Sequence, residues 1–167
     1  MYYNDVLKGL QSSKIRYLVV GGLAVNLHGV PRTTQDVDLI ISLDKDNVIN
    51  LCRLMKDMGY IPRLPVDPMG MADRKTLEDW TENRNLTAFS FYHREANYKV
   101  VDIVLVQPLN FNEAYQRKVV INAGDMEVCL VSLDDLIKMK IAAGRPRDLS
   151  DAEMLKEAKD IGENGDA

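Results

Sequence analysis

The sequence predicts an α/β (α+β) fold, in which a mixed β-sheet is flanked by helices. Short apolar segments of strand length alternate along the chain with segments of helical periodicity, an interleaving typical of α/β proteins. The 167 residues are enough for a sizeable core, and no repeat or low-complexity tract divides them. We therefore expect a single domain over residues 1–161 and a frayed tail over 162–167.

The first sixty residues predict three helices and two strands. The apolar segment Tyr17–Val20 predicts a strand that stops at a glycine pair, and Val37–Ile41 predicts a second strand. Residues 3–13 favour a helix before the first strand, and Leu23–His28 favour another after it. The clearest amphipathic helix covers residues 45–58, where apolar side chains recur at helical spacing.

The middle of the chain carries weaker signals. Its prolines favour an extended loop over residues 62–85, within which 73–83 predicts a short helix that carries Trp80. Two apolar segments, Thr87–Tyr92 and Lys99–Val106, then predict strands. The sheet is therefore expected to gain two strands after this loop.

A β-hairpin and a helical hairpin are expected at the C-terminal end. Val119–Asn122 and Glu127–Val131 flank a turn sequence and predict the two strands of the β-hairpin. A helix should begin after Ser132, which starts a capping-box pattern. Gly144–Pro146 breaks that helix, and a last helix runs to about Ile161. These two helices form the predicted C-terminal helical hairpin.

The composition excludes several classes of protein. Hydrophobic residues make up 46% and charged residues 28%, as in ordinary globular proteins. The net charge of −4 gives no strong nucleic-acid-binding signal. No signal peptide is recognisable, and no apolar segment approaches the ~20 residues that span a bilayer. Cys52 and Cys129 have no metal-type spacing and are expected to be reduced, which favours a cytoplasmic protein.

Carboxylates inside apolar segments are the most informative residues. Strand alternation places Asp36 and Asp38 on one face of a strand, and Asp102 lies within another apolar strand. A buried carboxylate is costly unless it is paired or bound to a cation, and hard divalent ions prefer oxygen ligands. Three carboxylates could share two metal ions that clamp a triphosphate. The alternative is that these aspartates are turn formers or lie exposed on an edge strand.

A glycine pair stands between the first strand and the helix that follows it. Gly21 and Gly22 would allow the backbone to approach a phosphate, and the start of a helix offers free N–H groups. The alternative is a plain tight turn. Neither a P-loop nor a Gly-x-Gly-x-x-Gly fingerprint occurs, so the two common nucleotide-binding motifs are absent from the sequence.

The order of these features resembles the nucleotidyltransferase superfamily, which has the DNA polymerase β-like fold. The motif stands as Val20–Gly22, a spacer of thirteen residues, and then Asp36–Leu39, with Asp102 as the carboxylate on a later strand. The stretches Gly29–Thr34 and Gly144–Leu149 are similar to an uncharacterised bacterial branch near the AbiE-type toxin nucleotidyltransferases.

The resemblance implies an enzyme that uses Mg²⁺ or Mn²⁺ and a nucleoside triphosphate. Asp36 and Asp38 would bind the ions that carry the triphosphate, and Asp102 would complete the second metal site and help to deprotonate the acceptor hydroxyl. The glycine pair would hold the β- and γ-phosphates, with Arg32 and Thr33 near them.

Two charged residues near the C-terminus add a separate argument. Lys140 lies on the apolar side of its predicted helix, and Asp148 lies at helical spacing from apolar residues of the next. Lysine is rarely buried without a partner, so Lys140 is predicted to contact phosphate and Asp148 to orient it. Alternatively, Lys140 extends to solvent and Asp148 only caps the last helix.

The sequence leaves the acceptor open. The leading hypothesis is transfer of a nucleoside monophosphate to an RNA end, a protein side chain or a small molecule such as an antibiotic. The second is a catalytically inactive module that binds a nucleotide or a partner protein. The third is a toxin whose transferase activity is restrained by a cognate antitoxin.

Overall fold

One seven-stranded sheet organises the protein in the computed structural model, which describes residues 1–165. The strands are β1 (Tyr17–Val20), β2 (Val37–Ile41), β3 (Tyr60–Pro62), β4 (Ala88–His93), β5 (Val100–Val104), β6 (Val119–Ala123) and β7 (Met126–Leu130). The α-helices are α1 (Tyr2–Ser12), α2 (Gly21–Leu27), α3 (Lys45–Asp57), α4 (Arg74–Glu78), α5 (Phe111–Gln116), α6 (Leu133–Ala143) and α7 (Pro146–Gly165). The predicted fold class is confirmed.

The strands lie in the order β3-β4-β5-β2-β1-β7-β6. The pairs β2–β5 and β1–β7 are parallel and the others are antiparallel, so the sheet is mixed as predicted. Asp38 of β2 is in register with Asp102 of β5, which is in register with Ser90 of β4. Side chains in register across a sheet point to the same face, so these three polar residues share one face.

Different elements cover the two faces of the sheet. On the face opposite the aspartates, Trp80 stacks on Phe89 with ring centroids 5.5 Å apart. Gly9 of α1 packs against Leu54 of α3, and α3 contacts β3. The aspartate face is covered by α2, which contacts β1, β2 and α6, and by the hairpin of α6 and α7. The space between this hairpin and the sheet is where the site lies.

Several helix ends follow the predicted signals. The Asp44 side chain accepts a hydrogen bond of 3.0 Å from the Asn47 amide at the start of α3. Ser132 Oγ accepts a 3.2 Å bond from the Asp135 amide at the start of α6. Gly144 ends α6 with φ +70°, the left-handed conformation that favours glycine. The chain then turns directly into α7, which completes the C-terminal helical hairpin.

The structure contains three elements that the sequence did not predict. The strand β3 is three residues long and includes Pro62, which an edge strand tolerates. A 3₁₀-helix over Pro68–Ala72 occupies part of the predicted loop, and α4 with a π-turn over Asp79–Asn83 forms the predicted helix around Trp80. The six-residue α5 is too short to show helical periodicity.

The last helix extends beyond its predicted end near Ile161 and continues to Gly165. The predicted frayed tail therefore begins inside α7, and its last two residues, Asp166 and Ala167, lie outside the described residues. Cys52 and Cys129 are free and partly buried. No helix within residues 1–165 is long and apolar enough to cross a membrane.

Candidate active site

A cleft of about 710 Å³ opens between the aspartate face of the sheet and α6. It brings together most of the residues predicted for the site: Gly21, Gly22, Arg32, Asp38, Asp102, Lys140 and Asp148. A wider depression of about 1030 Å³ beside the N-terminal end of α1 contains none of them. The cleft is therefore the candidate active site.

Two predicted site residues do not line the cleft. Asp36 lies just before β2 and is partly buried beside it. Thr33 is exposed, and its carbonyl accepts a 3.0 Å hydrogen bond from Arg147. The threonine at the glycine turn is Thr34, because a Cβ atom added to Gly22 would lie 2.8 Å from Thr34 Oγ1.

Two carboxylates of neighbouring strands line one side of the cleft, and a third, Asp36, lies just outside it. Asp38 and Asp102 lie side by side on the parallel strands β2 and β5. Asp36 lies two residues before Asp38, outside the strand, and its charge acts on Asp38. One oxygen of Asp102 accepts a hydrogen bond from Ser90 Oγ on β4. The fold thus gathers carboxylates that are 66 residues or less apart on the chain into one acidic group.

The environment of Asp36 and Asp38 disfavours their ionisation. Burial raises the pKa of Asp38 to about 6, and the charges of Asp102 and Asp36 act in the same direction. Lys140 and Arg32 counteract this effect only in part. Burial and the charge of Asp102 also raise the pKa of Asp36. Three neighbouring carboxylates therefore repel one another, and a bound cation would relieve that repulsion.

The donor set fits a hard divalent cation. Within residues 1–165, no three His, Cys, Asp or Glu side chains lie close enough together to form a ready-made metal site. The oxygen-only donors of Asp36, Asp38 and Asp102 are nevertheless those that Mg²⁺ and Mn²⁺ prefer. Their mutual repulsion supplies a reason to bind a cation. These three residues are the ones that would hold it.

The glycine turn lies directly against the acidic group. Gly21 has φ +67°, and a Cβ atom at this position would lie 2.1 Å from Asp38 Oδ2. Real Cβ atoms do not approach an oxygen this closely, so only glycine fits beside the carboxylate. A plain tight turn would not require this approach. The backbone of the turn therefore forms one wall around Asp38.

Replacing Gly21 with alanine is expected to lower the free energy of unfolding by about 2 kcal/mol or more, because a methyl group would collide with Asp38. Gly124→Ala is the matched control, since Gly124 also has φ +67° but no atom lies within 4 Å of its added Cβ. Urea denaturation of both variants would measure the difference. Equal losses of stability would show that the contact with Asp38 imposes no constraint.

A buried network of charges forms the opposite side of the cleft. Lys140 is only 6% exposed, and Asp148 and Asp151 are each 2% exposed. The Lys140 Nζ atom lies 3.4 Å from Asp148 Oδ1 and 3.0 Å from Asp151 Oδ2. Arg145 donates a 2.6 Å hydrogen bond to Asp148, and Arg32 forms an ion pair with Asp151. Lys140 is therefore buried and paired, and does not extend to solvent.

The network brings three cations to the cleft. They face two carboxylates within the network, and Lys140 and Arg32 also act on the nearby carboxylate of Asp38. Burial alone would raise the pKa of Asp148, but Arg145 and Lys140 outweigh it and hold this pKa below its usual range. The Nε atom of Arg32 is buried and has no hydrogen-bond partner among the described residues. The cleft therefore offers a cationic end with an unused donor.

Asp151 is the site residue that the sequence did not reveal. It lies one helical turn after Asp148 and links Lys140 to Arg32, which comes from the segment before β2. The available signal was its position one helical turn before the buried residue Leu155 on α7. Asp148 carries the same kind of signal, so that signal does not single out Asp151. The contact that does so is with Arg32, which comes from a segment remote in sequence.

The protein has a mixed sheet with paired aspartates, a glycine turn against them and a facing helix pair that carries the cationic network. This combination defines a protein of the nucleotidyltransferase class. The sequence from residue 4 to residue 161 matches the family described as "nucleotidyltransferase of unknown function (DUF6036)", and the chain belongs to that family. The chain is therefore a nucleotidyltransferase, and the superfamily expected from the motifs is confirmed. The comparisons do not place it in the AbiE-type branch.

Solved structures share this fold at low sequence identity. The lincosamide antibiotic adenylyltransferase LnuA, with lincomycin bound, is 17% identical with a TM-score of 0.58, over 94% of both chains. A candidate nucleotidyltransferase of Thermotoga maritima is 15% identical with a TM-score of 0.56, over 93% of this chain and 89% of the other. ANT(2″)-Ia in complex with adenylyl-2″-tobramycin is 12% identical with a TM-score of 0.53, over 99% and 97%. No curated protein matches the sequence.

Proposed function

We propose that the protein moves a nucleoside monophosphate from a nucleoside triphosphate to an acceptor hydroxyl, with Mg²⁺ or Mn²⁺ held by Asp36, Asp38 and Asp102. The observation that carries this proposal is the arrangement of the cleft, where a carboxylate group faces a cationic network. A triphosphate with divalent ions has the complementary charges. We place the reaction in the cytoplasm, where the two free cysteines would stay reduced.

Each side of the cleft has a role in this reaction. The phosphates would lie against the glycine turn and would be bound by Arg32, Lys140 and Arg145. Bound divalent ions would neutralise phosphate charge and lower the pKa of the acceptor hydroxyl. The Ser90 hydroxyl engages one oxygen of Asp102, so the other oxygen remains free to take the hydroxyl proton.

The acceptor would approach from the side of Asp36. This residue does not line the cleft, yet its pKa responds to Asp102 within the cleft and to Arg63 outside it. Arg63 is exposed and follows β3, where its amide donates a 2.9 Å hydrogen bond to the Ser90 carbonyl. Arg63 is therefore a candidate contact for an acceptor on this side.

Three classes of acceptor are compatible with this geometry, namely an RNA end, a protein side chain and a small molecule. LnuA is named as a lincosamide antibiotic adenylyltransferase, and this name is the reason to test antibiotics. A toxin that modifies an essential RNA or protein, restrained by a cognate antitoxin, is one form of the first two classes. Incubating the protein with Mg²⁺, cell lysate and each of the four labelled triphosphates would identify the labelled class.

A catalytically inactive nucleotide-binding module is the second candidate function. The cationic network alone would suffice to bind a nucleotide in such a module. Three adjacent carboxylates would then destabilise the protein and would serve no catalytic role. Metal-dependent binding of a triphosphate without label transfer to any acceptor would favour this candidate over the enzyme.

Removing divalent metal is expected to weaken triphosphate binding at least tenfold, because the bare carboxylates would repel the phosphates. Calorimetric titration of ATP into the protein with Mg²⁺, and then with EDTA, measures the change. Repeating the ATP titration in EDTA with sodium chloride added to the same ionic strength controls for general screening of charges. Equal affinity in Mg²⁺ and in EDTA would exclude metal bridging by the aspartates.

A further inference from the structure

The cleft has a second end that differs in chemistry from the charged one. Away from the acidic group, its walls are the end of β5 with the following loop on one side and α6 on the other. The side chains here are apolar: Val104, Val106, Pro108, Met139 and Ala143. The ligand of this cleft should therefore be charged at one end and apolar at the other.

The polar side chains at the apolar end offer a ligand few hydrogen-bond donors and acceptors in a fixed arrangement. The Gln107 side chain is folded back onto Leu109, donating to its carbonyl at 3.0 Å and accepting from its amide at 2.6 Å. Thr87 is exposed at the mouth, and a hydroxyl can both donate and accept. Thr87 can therefore pair with any base edge and does not distinguish one from another.

We propose that the apolar end holds the nucleobase by packing alone, so that the enzyme accepts all four nucleoside triphosphates with similar affinity. This inference rests on the proposed function, because it assigns the phosphates to the cationic end. A cleft of about 710 Å³ is of the size that encloses a small ligand. Sites that hydrogen-bond a ligand reject analogues strongly, whereas apolar pockets discriminate only ~10- to 200-fold.

The affinities of ATP, GTP, CTP and UTP, measured by calorimetry with Mg²⁺, test this inference. We expect the four dissociation constants to agree within about tenfold, with purines ahead because they bury more apolar surface. Inorganic tripolyphosphate should bind at least ~10-fold more weakly than ATP, because it lacks the apolar part. A preference above ~200-fold for one base, or equal binding of tripolyphosphate and ATP, would overturn the inference.

The same experiment separates this inference from the proposed function. If neither tripolyphosphate nor any of the four nucleotides binds with Mg²⁺ present, the proposed function fails and the inference fails with it. If one nucleotide binds far more tightly than the other three, the proposed function stands and only the packing of the base is wrong.

Two variants locate the base within the cleft. Met139→Ala should weaken all four nucleotides by roughly fivefold and leave tripolyphosphate unchanged, because it removes apolar contact from the α6 wall. Val106→Ala tests the facing wall at a residue that is 54% exposed, where the change does not threaten folding. Met154→Ala is the control, since Met154 is exposed on α7 and does not line the cleft. Loss of affinity for a single base, or for tripolyphosphate, in the two cleft variants would contradict the proposal.

Discussion

Replacing Asp38 with asparagine is expected to lower nucleotidyl transfer by about a thousandfold or more, while the metal-free protein becomes at least as stable as the parent. Asp38 is partly buried beside like charges, and burial with its neighbours raises its pKa to about 6. Asparagine has nearly the same volume, so the change removes repulsion and leaves the packing against Gly21 in place. A purely structural aspartate would give the opposite pattern of lost stability and retained activity.

Thermal melts in EDTA and a labelled transfer assay with Mg²⁺ measure the two effects of Asp38→Asn. Asp57→Asn, at the exposed end of α3, is a matched control that should change neither. The double variant with Asp102→Asn should lose little further activity, because residues that act as one unit are strongly non-additive. An active and destabilised Asp38→Asn protein would refute the assignment of the acidic group.

Replacing Asp151 with asparagine is expected to lower the free energy of unfolding by about 3 kcal/mol, the largest loss of stability expected at the site. Asp151 is 2% exposed and forms ion pairs with both Lys140 and Arg32. Lys140 would keep only Asp148, and Arg32 would lose its carboxylate partner. Breaking a buried pair from one side leaves an uncompensated charge, which costs more than the intact pair contributes.

Urea denaturation of Asp151→Asn measures this loss, with Asp160→Asn on the exposed face of α7 as the control. A second measurement distinguishes a ligand-binding network from a merely structural one. Tripolyphosphate with Mg²⁺ should raise the melting temperature of the variant more than that of the parent, because the anion replaces the missing charge. If the ligand stabilises neither protein, the network does not face a bound phosphate.

Much of the fold was predictable because its signals are local. Strand alternation placed Asp36 and Asp38 on one face, and the capping pattern at Ser132 located the start of α6. The strand β3 and the helix α5 were not predicted because both are too short to show a hydrophobic periodicity. The exposure of Thr33 was not predictable, since the direction of a residue in an irregular segment depends on backbone angles that composition does not reveal.

The sequence by itself determined the fold class, the acidic motif and the glycine turn, because each depends on residues within a short stretch of chain. Only the tertiary structure decided that Asp102 lies in register with Asp38, since the pairing of β2 with β5 joins strands separated by most of the middle of the chain. It also decided that Asp151 connects Lys140 with Arg32. These contacts depend on how separate elements pack, and no local pattern specifies the partner of a buried charge.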